Sequence, residues 1–366
     1  MPQRIRPATA LAMVLAGVWG LAAYAEKPNL PTAADGARPD VRKRLTDAYA
    51  TSQKVKSPED CLPILETCEE ALAGELTPQN KDYAHKLAAW AYNRRGELYA
   101  EQAAALSAQG KARKANELDT LALADFETAI EHDSGRWKAL HNRGVSLALH
   151  GKTDEALADF ARVIEIKPDH AHAWFNRAEL RLERREFEQA VTDYNEALKL
   201  KSDDAAALLG RGTAYLGMEE SQKALADLDS AVRLDAKNAN IRARRGDCRQ
   251  HLRMWDQAAD DYRQAIKMAP ESPVGYRGAA WLMATCPEAK IRNANLAVRT
   301  AQKAVDLSGG GDIAALDALA AALADAGQFD AAIETLTKAI DLLPESSREP
   351  LVVRLDTYRA GKPHRQ

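Results

Sequence analysis

One spacing constrains this chain more than any other property. In "DEALADFARVIEIKP" (154–168) a small residue, a bulky one and another small-to-medium one stand at Ala156, Phe160 and Val163. The same triplet recurs at Ala122/Phe126/Ala129, Ala190/Tyr194/Ala197, Ala224/Leu228/Ala231 and Ala258/Tyr262/Ala265, always 34 residues apart. Two more copies follow, Ala297/Ala301/Ala304 after 39 residues and Ala332/Leu336/Ala339 after 35. Steps of four and then three put each triplet on one helix face. Small outer members let a second helix approach, and the bulky member fills the gap between them. A fixed period of this size specifies a stacked array, in which each unit buries its apolar face only against its neighbours.

A second element precedes each triplet by about three turns. Its clearest copies are "YNRRGELY" (92–99), "LHNRGVSL" (140–147), "WFNRAELR" (174–181) and "LLGRGTAY" (208–215). Each opens on a large apolar residue and carries Gly or Ala four places later. Glycine inside a helix costs about 1 kcal/mol relative to alanine, so its recurrence points to a close crossing of two antiparallel helices. With both elements in view, the chain resembles the tetratricopeptide repeat family. That family's 34-residue helix-turn-helix unit runs Trp-x2-Leu-Gly-x2-Tyr, then Ala, aromatic, Ala and Pro. Here the fourth place is Tyr92, Leu140, Trp174, Leu208 and Tyr276, and the closing proline is kept at Pro168, Pro270 and Pro344. The resemblance covers about residues 83 to 346. It implies an all-α fold, a right-handed superhelical α-solenoid of stacked antiparallel helix pairs. It does not by itself imply a function.

The chain opens with Arg4 and Arg6, an apolar run from Ala8 to Ala23, and Ala23-Tyr24-Ala25 before Glu26. This is the order of a signal peptide over 1–25, with cleavage before Glu26. The expected location is periplasmic or secreted. The run is broken by Gly17 and Gly20 and is short for a membrane span, so no membrane span is expected after signal cleavage. Cleavage would remove two positive charges and take the formal net charge from −3 to −5. A mildly acidic chain without a basic tract is not suited to nucleic acid.

Residues 26–39 are rich in Pro, Ala and Gly without periodicity and read as a flexible linker. The solenoid then runs over 40–346. Its first repeat, 40–76, is degenerate: Ser57-Pro58-Glu59-Asp60 starts a helix that places Cys61, Leu65 and Cys68 on the triplet. An insertion near 100–121 reads as two lengthened helices joined by a turn about "QGKARKAN". An interruption near 284–295 contains Pro287, which a continuous helix excludes. "SGGGD" (308–312) lacks the Lys-Ser/Thr ending of a phosphate loop and reads as a helix cap. The end, 347–366, reads as a C-terminal capping helix and tail, with Leu351, Leu355 and Tyr358 on one stripe and Gly361 and Pro363 as stop signals.

Reactive chemistry is sparse in this sequence. Cys61 and Cys68 lie two helical turns apart, about 10 Å at the helical rise, too far to bridge; they read as buried thiols. Cys248 and Cys286 fall on first helices of adjacent repeats, where an oxidising compartment permits a disulfide. His170-x-His172 lacks further ligands at zinc spacing. With no catalytic motif, nucleotide loop or paired carboxylates, the reading is no enzyme, no cofactor and no metal.

In the tetratricopeptide family, places 2, 5, 9, 12 and 13 of each first helix line a concave groove. The resemblance maps these onto Trp90, Asn93 and Glu97; Lys138, His141 and Val145; and His172, Phe175 and Glu179. Further along they fall on Asp247, Gln250 and His251, then on Arg277 and Trp281. The mixture of aromatic, amide and both charges suits a protein or peptide partner, with Phe175 and Trp281 as aromatic anchors. No repeat carries the Lys and Asn with which some family members clamp a carboxylate. The function so implied is a protein-protein interaction scaffold. The alternatives are a non-catalytic subunit of an envelope secretion or polysaccharide-export assembly, and an enzyme with an unrecognised site in the interruption.

One pairing lies outside the family pattern. The seventh place, usually leucine, is Arg95, Arg143, Arg177, Arg211 and Arg245 in five successive repeats. The same repeats carry Asp125, Asp159, Asp193, Asp227 and Asp261 one residue before the bulky triplet member. Where the arginine is absent the aspartate is absent too: Ala279 with Thr300, Leu319 with Thr335, Leu45 with Ile64. An unpaired guanidinium at a helix–helix surface is costly to desolvate. Joint presence and absence therefore predict a structural ion-pair ladder, formed within or between repeats.

Overall fold

The computed structural model describes residues 39–366. The signal-peptide pattern and all of the linker but Pro39 lie outside them. The described residues divide into two compact units, 39–200 and 201–366. In the first, the described helices are α1 (Pro39–Ser52), α2 (Leu62–Leu72), α3 (Pro78–Ala108), α4 (Ala112–His132), α5 (Trp137–Leu149), α6 (Thr153–Ile166), α7 (Ala171–Glu183) and α8 (Phe187–Leu200). In the second they are α9 (Ala205–Gly217), α10 (Ser221–Leu234), α11 (Ala239–His251), α12 (Trp255–Met268), α13 (Pro273–Thr285), α14 (Ala294–Leu307), α15 (Ile313–Asp325), α16 (Phe329–Asp341) and α17 (Glu349–Arg359). No strand occurs among the described residues. Within each unit an odd-numbered helix packs on the even-numbered one after it, from α3 onward, and that one packs on the first helix of the next pair. The fold is an all-α stack of helix hairpins.

Every triplet is buried at the centre of its hairpin. Close approach is why glycine recurs on the first helices. A Cβ added at Gly96 would stand 2.6 Å from the Phe126 ring, and one at Gly246 would stand 2.7 Å from Tyr262. The hairpin turns share one left-handed residue, at Gly151, Arg185, Glu219 and Arg253, with φ of 75°, 61°, 62° and 58°. These positions repeat the 34-residue step, and three of the four hold a side chain where glycine would be easier.

The insertion lengthens one hairpin, giving α3 31 residues and α4 21, with Gly110 at φ 73° in the turn. The interruption is a loop between α13 and α14, fastened where Asn293 N donates to Met283 O (3.2 Å) and Arg292 to the carbonyls of Cys286 and Pro287 (2.9 and 2.8 Å). Gly310 N closes α14 on Val305 O (2.9 Å), and the Asp312 carboxylate caps α15 by accepting from Ala314 N at 2.9 Å. α17 buries Leu355 and Tyr358 against the last hairpin.

All four cysteines are free and buried. The disulfide permitted between Cys248 and Cys286 is not formed, because the two pack into different apolar clusters and the Cys248 thiol donates to Ser221 O (3.2 Å). Burial pushes the thiols of Cys61 and Cys68 up to about 12 and that of Cys248 to about 11, which leaves them protonated and unreactive.

At the seventh place each arginine grips the aspartate of its own repeat with two parallel bonds. Arg95 donates to Asp125 at 2.8 and 2.7 Å, Arg143 to Asp159 and Arg177 to Asp193 at the same distances. Arg211 meets Asp227 at 2.7 Å twice, and Arg245 meets Asp261 at 2.9 and 2.6 Å. Asp193, 0% exposed, also accepts from Arg181 (2.7 Å), and Asp261 from Arg249 (2.8 Å). The fork geometry matches two donors to two carboxylate oxygens, so the buried charges satisfy one another.

Candidate functional site: the first-helix face

In the first unit, this face carries buried polar atoms that the fold leaves unused. His141 on α5 packs edge-on against Phe160 (ring centres 5.6 Å) and against His170 (4.8 Å). His170, just before α7, lies 4.7 Å from the Trp137 ring and 5.8 Å from His172. Neither His141 Nδ1 nor His170 Nε2 has a hydrogen-bond partner. Burial, then the neighbouring histidines, holds His141 well below its ordinary value. Burial, then His172 and the Lys167 charge, brings His170 down to about 4. Both rings are therefore neutral near pH 7 and can exchange hydrogen bonds but not charge.

A third group belongs with them. Asn142 donates to Asn93 Oδ1 (3.1 Å) and Glu97 Oε1 (3.3 Å) on the preceding first helix. One repeat later Asn176 takes the place of Asn142, and the places of Asn93 and Glu97 are held by His141 and Val145. Valine offers no polar atom, and both Oδ1 and Nδ2 of the fully buried Asn176 are left without a partner. A buried amide in this state costs about 1–3 kcal/mol. His170 and Asn176 were not mapped from the sequence. The signal for Asn176 was present in the repeated Asn-Arg of "LHNR" and "WFNR".

The structure corrects two of the mapped groove residues and reassigns others. Phe175, expected to point outward, is 5% exposed and packs edge-on against Tyr194 (6.1 Å); it belongs to the core. Asn93, 3% exposed, is a buried member of the polar seam and donates to Glu97 (2.8 Å), which also accepts from Arg94 (3.0 Å). Glu179 accepts from the Tyr194 hydroxyl, and Asp247 from the Tyr262 hydroxyl (2.8 Å). These two acids satisfy the buried phenols of their own repeats, and each stands where the triplet holds tyrosine. Trp90 is half-buried against the first apolar cluster, Arg277 faces Asp312 (3.6 Å), and His172 and His251 are exposed.

In the second unit, Trp281 is covered by the chain itself. The Arg354 guanidinium from α17 stacks over its ring at 4.7 Å while pairing with Asp317 of α15. His364 lies tilted against the same ring at 5.6 Å. Burial, then the Arg354 and Arg365 charges, pulls His364 below its ordinary value, so it packs there as a neutral ring. Arg365 donates to Ala284 O (2.8 Å) and to Asp325 (2.5 Å), and Gln366 N donates to Thr285 O (3.1 Å). Among the described residues, no cluster of acidic, His or Cys side chains is placed to hold a metal ion, and no helix is long and apolar enough to cross a membrane.

Comparison with known proteins follows the same lines. A tetratricopeptide repeat model matches residues 108–171, 150–207, 175–239 and 209–273, and a second model of the same description matches 313–345. No curated protein matches the chain. Among solved structures it is similar to a tetratricopeptide repeat protein from Parabacteroides merdae, at 16% identity over 76% of this chain and 97% of that one (TM-score 0.47). It is also similar to yeast Tom70, at 15% identity over 91% and 67% (TM-score 0.46). A third is YrrB, described as having an unusual peptide-binding site, at 22% identity over 54% and 97% (TM-score 0.36). The two family models together span more than half of the 366 residues, and the chain belongs to the tetratricopeptide repeat family.

Proposed function

We propose that this protein is a non-catalytic interaction scaffold that binds an extended peptide or protein segment along the groove of its first helices. The observation that carries this reading is the histidine cluster of the first-helix face, where exposed His172 stands against His170 and His170 against His141, with His141 Nδ1 and His170 Nε2 left unpartnered. The rings of His141 and His170 are neutral, and each nitrogen donates or accepts according to its tautomer. Backbone amides of an extended segment supply the matching acceptor and donors. His170→Phe tests the reading, since it keeps the partly exposed ring and removes the unpartnered nitrogen. Removing an unsatisfied polar group in this way is neutral or stabilising. The expected variant melts at or above the wild-type temperature and captures the wild-type's partner at least tenfold more weakly. A variant that folds and captures the same partner with unchanged affinity overturns the reading.

The scaffold is proposed to act outside the cytoplasm, in the periplasm or as a secreted protein. Support comes from the basic, apolar and small-x-small order of residues 1–25. N-terminal sequencing of protein from its native host is expected to read from Glu26, and an uncleaved chain retained in the cytoplasm contradicts the location.

A further inference from the structure

The segment after α17 lies as a ligand would lie. Gly361, at φ 70°, ends the helix, and Lys362 N closes it by donating to Thr357 O (3.1 Å). From there the chain turns back onto the first-helix face of the second unit. Besides the bond from Arg365 to His364 O within the segment (3.1 Å), its polar contacts reach helix ends: Arg365 and Gln366 donate to Ala284 O and Thr285 O, the last carbonyls of α13. Arg365 also pairs with Asp325, the last residue of α15. Carbonyls at a helix C-terminus lack partners within the helix and carry the negative end of its dipole. Asp325 adds a full negative charge at a second such end. Its side chain is 7% exposed, and Arg365 is its ion-pair partner. Without that segment, this carboxylate would sit beside two negative helix ends with no cation to answer it. The ring of Trp281 supplies a flat apolar floor on which His364 rests.

We propose that this face of α13 and α15 is a binding site for an extended cationic segment bearing arginine, and that residues 362–366 occupy it in cis. A partner's segment of the same chemistry must displace them, so the tail gates access to the second unit's face. This deepens the scaffold reading and rests on the first-helix face being the ligand face. It concerns a different unit and different residues from the His170 test, so each can fail without the other.

The experiment uses a chain ending at Lys362, which keeps the cap on α17, and a fluorescein-labelled peptide of sequence Gly-Lys-Pro-His-Arg-Gln as probe. Fluorescence anisotropy is expected to show saturable binding to the shortened chain, at least tenfold tighter than to the full chain. Replacing the probe's arginine with alanine, or adding Asp325→Asn to the shortened chain, should weaken binding at least tenfold. Added salt should weaken it as well. Arg365→Ala in the full-length chain releases the tail without shortening it, and should also gain probe binding if the shortened chain is unstable. Equal binding to full and shortened chains, no binding to either the shortened chain or the Arg365→Ala chain, or indifference to Asp325→Asn overturns the proposal.

Discussion

The first-helix faces of the two units meet one physical requirement in different ways. In the first unit, the face around His141, His170 and Asn176 keeps buried polar atoms without partners. In the second, the carbonyls ending α13 and the carboxylate ending α15 are answered by the chain's own residues 365 and 366. The frame beneath is the same in both, with hairpins closed by the same left-handed turn and braced by the same Arg–Asp fork. The difference is one of occupancy, imposed by a short segment that lies outside the repeat. A repeat face made from polar groups asks for a partner, and it takes one from its own chain where the geometry allows.

Breaking the shared frame should have the largest effect. Asp193→Ala leaves the half-buried Arg177 and Arg181 without their carboxylate, and should cost about 3 kcal/mol in urea unfolding. A wild-type midpoint would show that the pair does not support the first unit. Phe175→Ala comes next, at about 3 kcal/mol, because its ring packs on Tyr194 and is nearly inaccessible. Loss of binding without loss of stability in that variant would return Phe175 to the ligand face.

Trp281→Ala should be milder and should separate the two units. It removes the surface under Arg354 and His364, costing on the order of 1 kcal/mol and speeding carboxypeptidase digestion of the last residues. Unchanged digestion would mean that the tail does not depend on this face.

Acid should probe the other unit. His170 sits at about 4 in the fold against 6.5 for the free side chain. Its folded-state value is depressed, so its neutral form belongs to the fold. The stability it contributes is complete above about pH 6.5 and is lost as pH falls toward 4. The neighbouring charges are His172, Lys167, Asp169 and Lys138. Thermal melts should show a loss of about 2 kcal/mol from His170 across that window, after discounting for its partial exposure, and His170→Gln should remove that share while leaving the share of His141. The smallest effect belongs to the turns. Arg185→Gly in one unit and Glu219→Gly in the other should each add about 0.5–1 kcal/mol by relieving a left-handed side chain. Unequal gains would show that the two frames differ after all.

Much of the frame was legible because it is periodic. The 34-residue triplet announces which residues meet inside each hairpin. The joint loss of Arg and Asp at Ala279/Thr300 and Leu319/Thr335 marks a pairing that no single repeat could reveal. The ligand face was read less well. Family places describe an average first helix, and here the bulky tyrosines change their meaning: Tyr194 and Tyr262 draw Glu179 and Asp247 inward to satisfy their hydroxyls, and Phe175 follows Tyr194. Asn176 is orphaned by Val145, a substitution on a neighbouring repeat rather than on its own. The tail was illegible for a different reason. Arg365 meets Ala284, 81 residues away, through a contact that occurs once and so leaves no periodic trace.

The central claim is that partners bind the first-helix face, and site-specific photocrosslinking tests it most directly. A photoreactive residue placed at exposed His172 on α7 is compared with one at exposed Arg162 on the second helix α6, both in the presence of native extract. The account predicts partner adducts from position 172 and few or none from position 162. Adducts formed equally at both, or only at position 162, would contradict it.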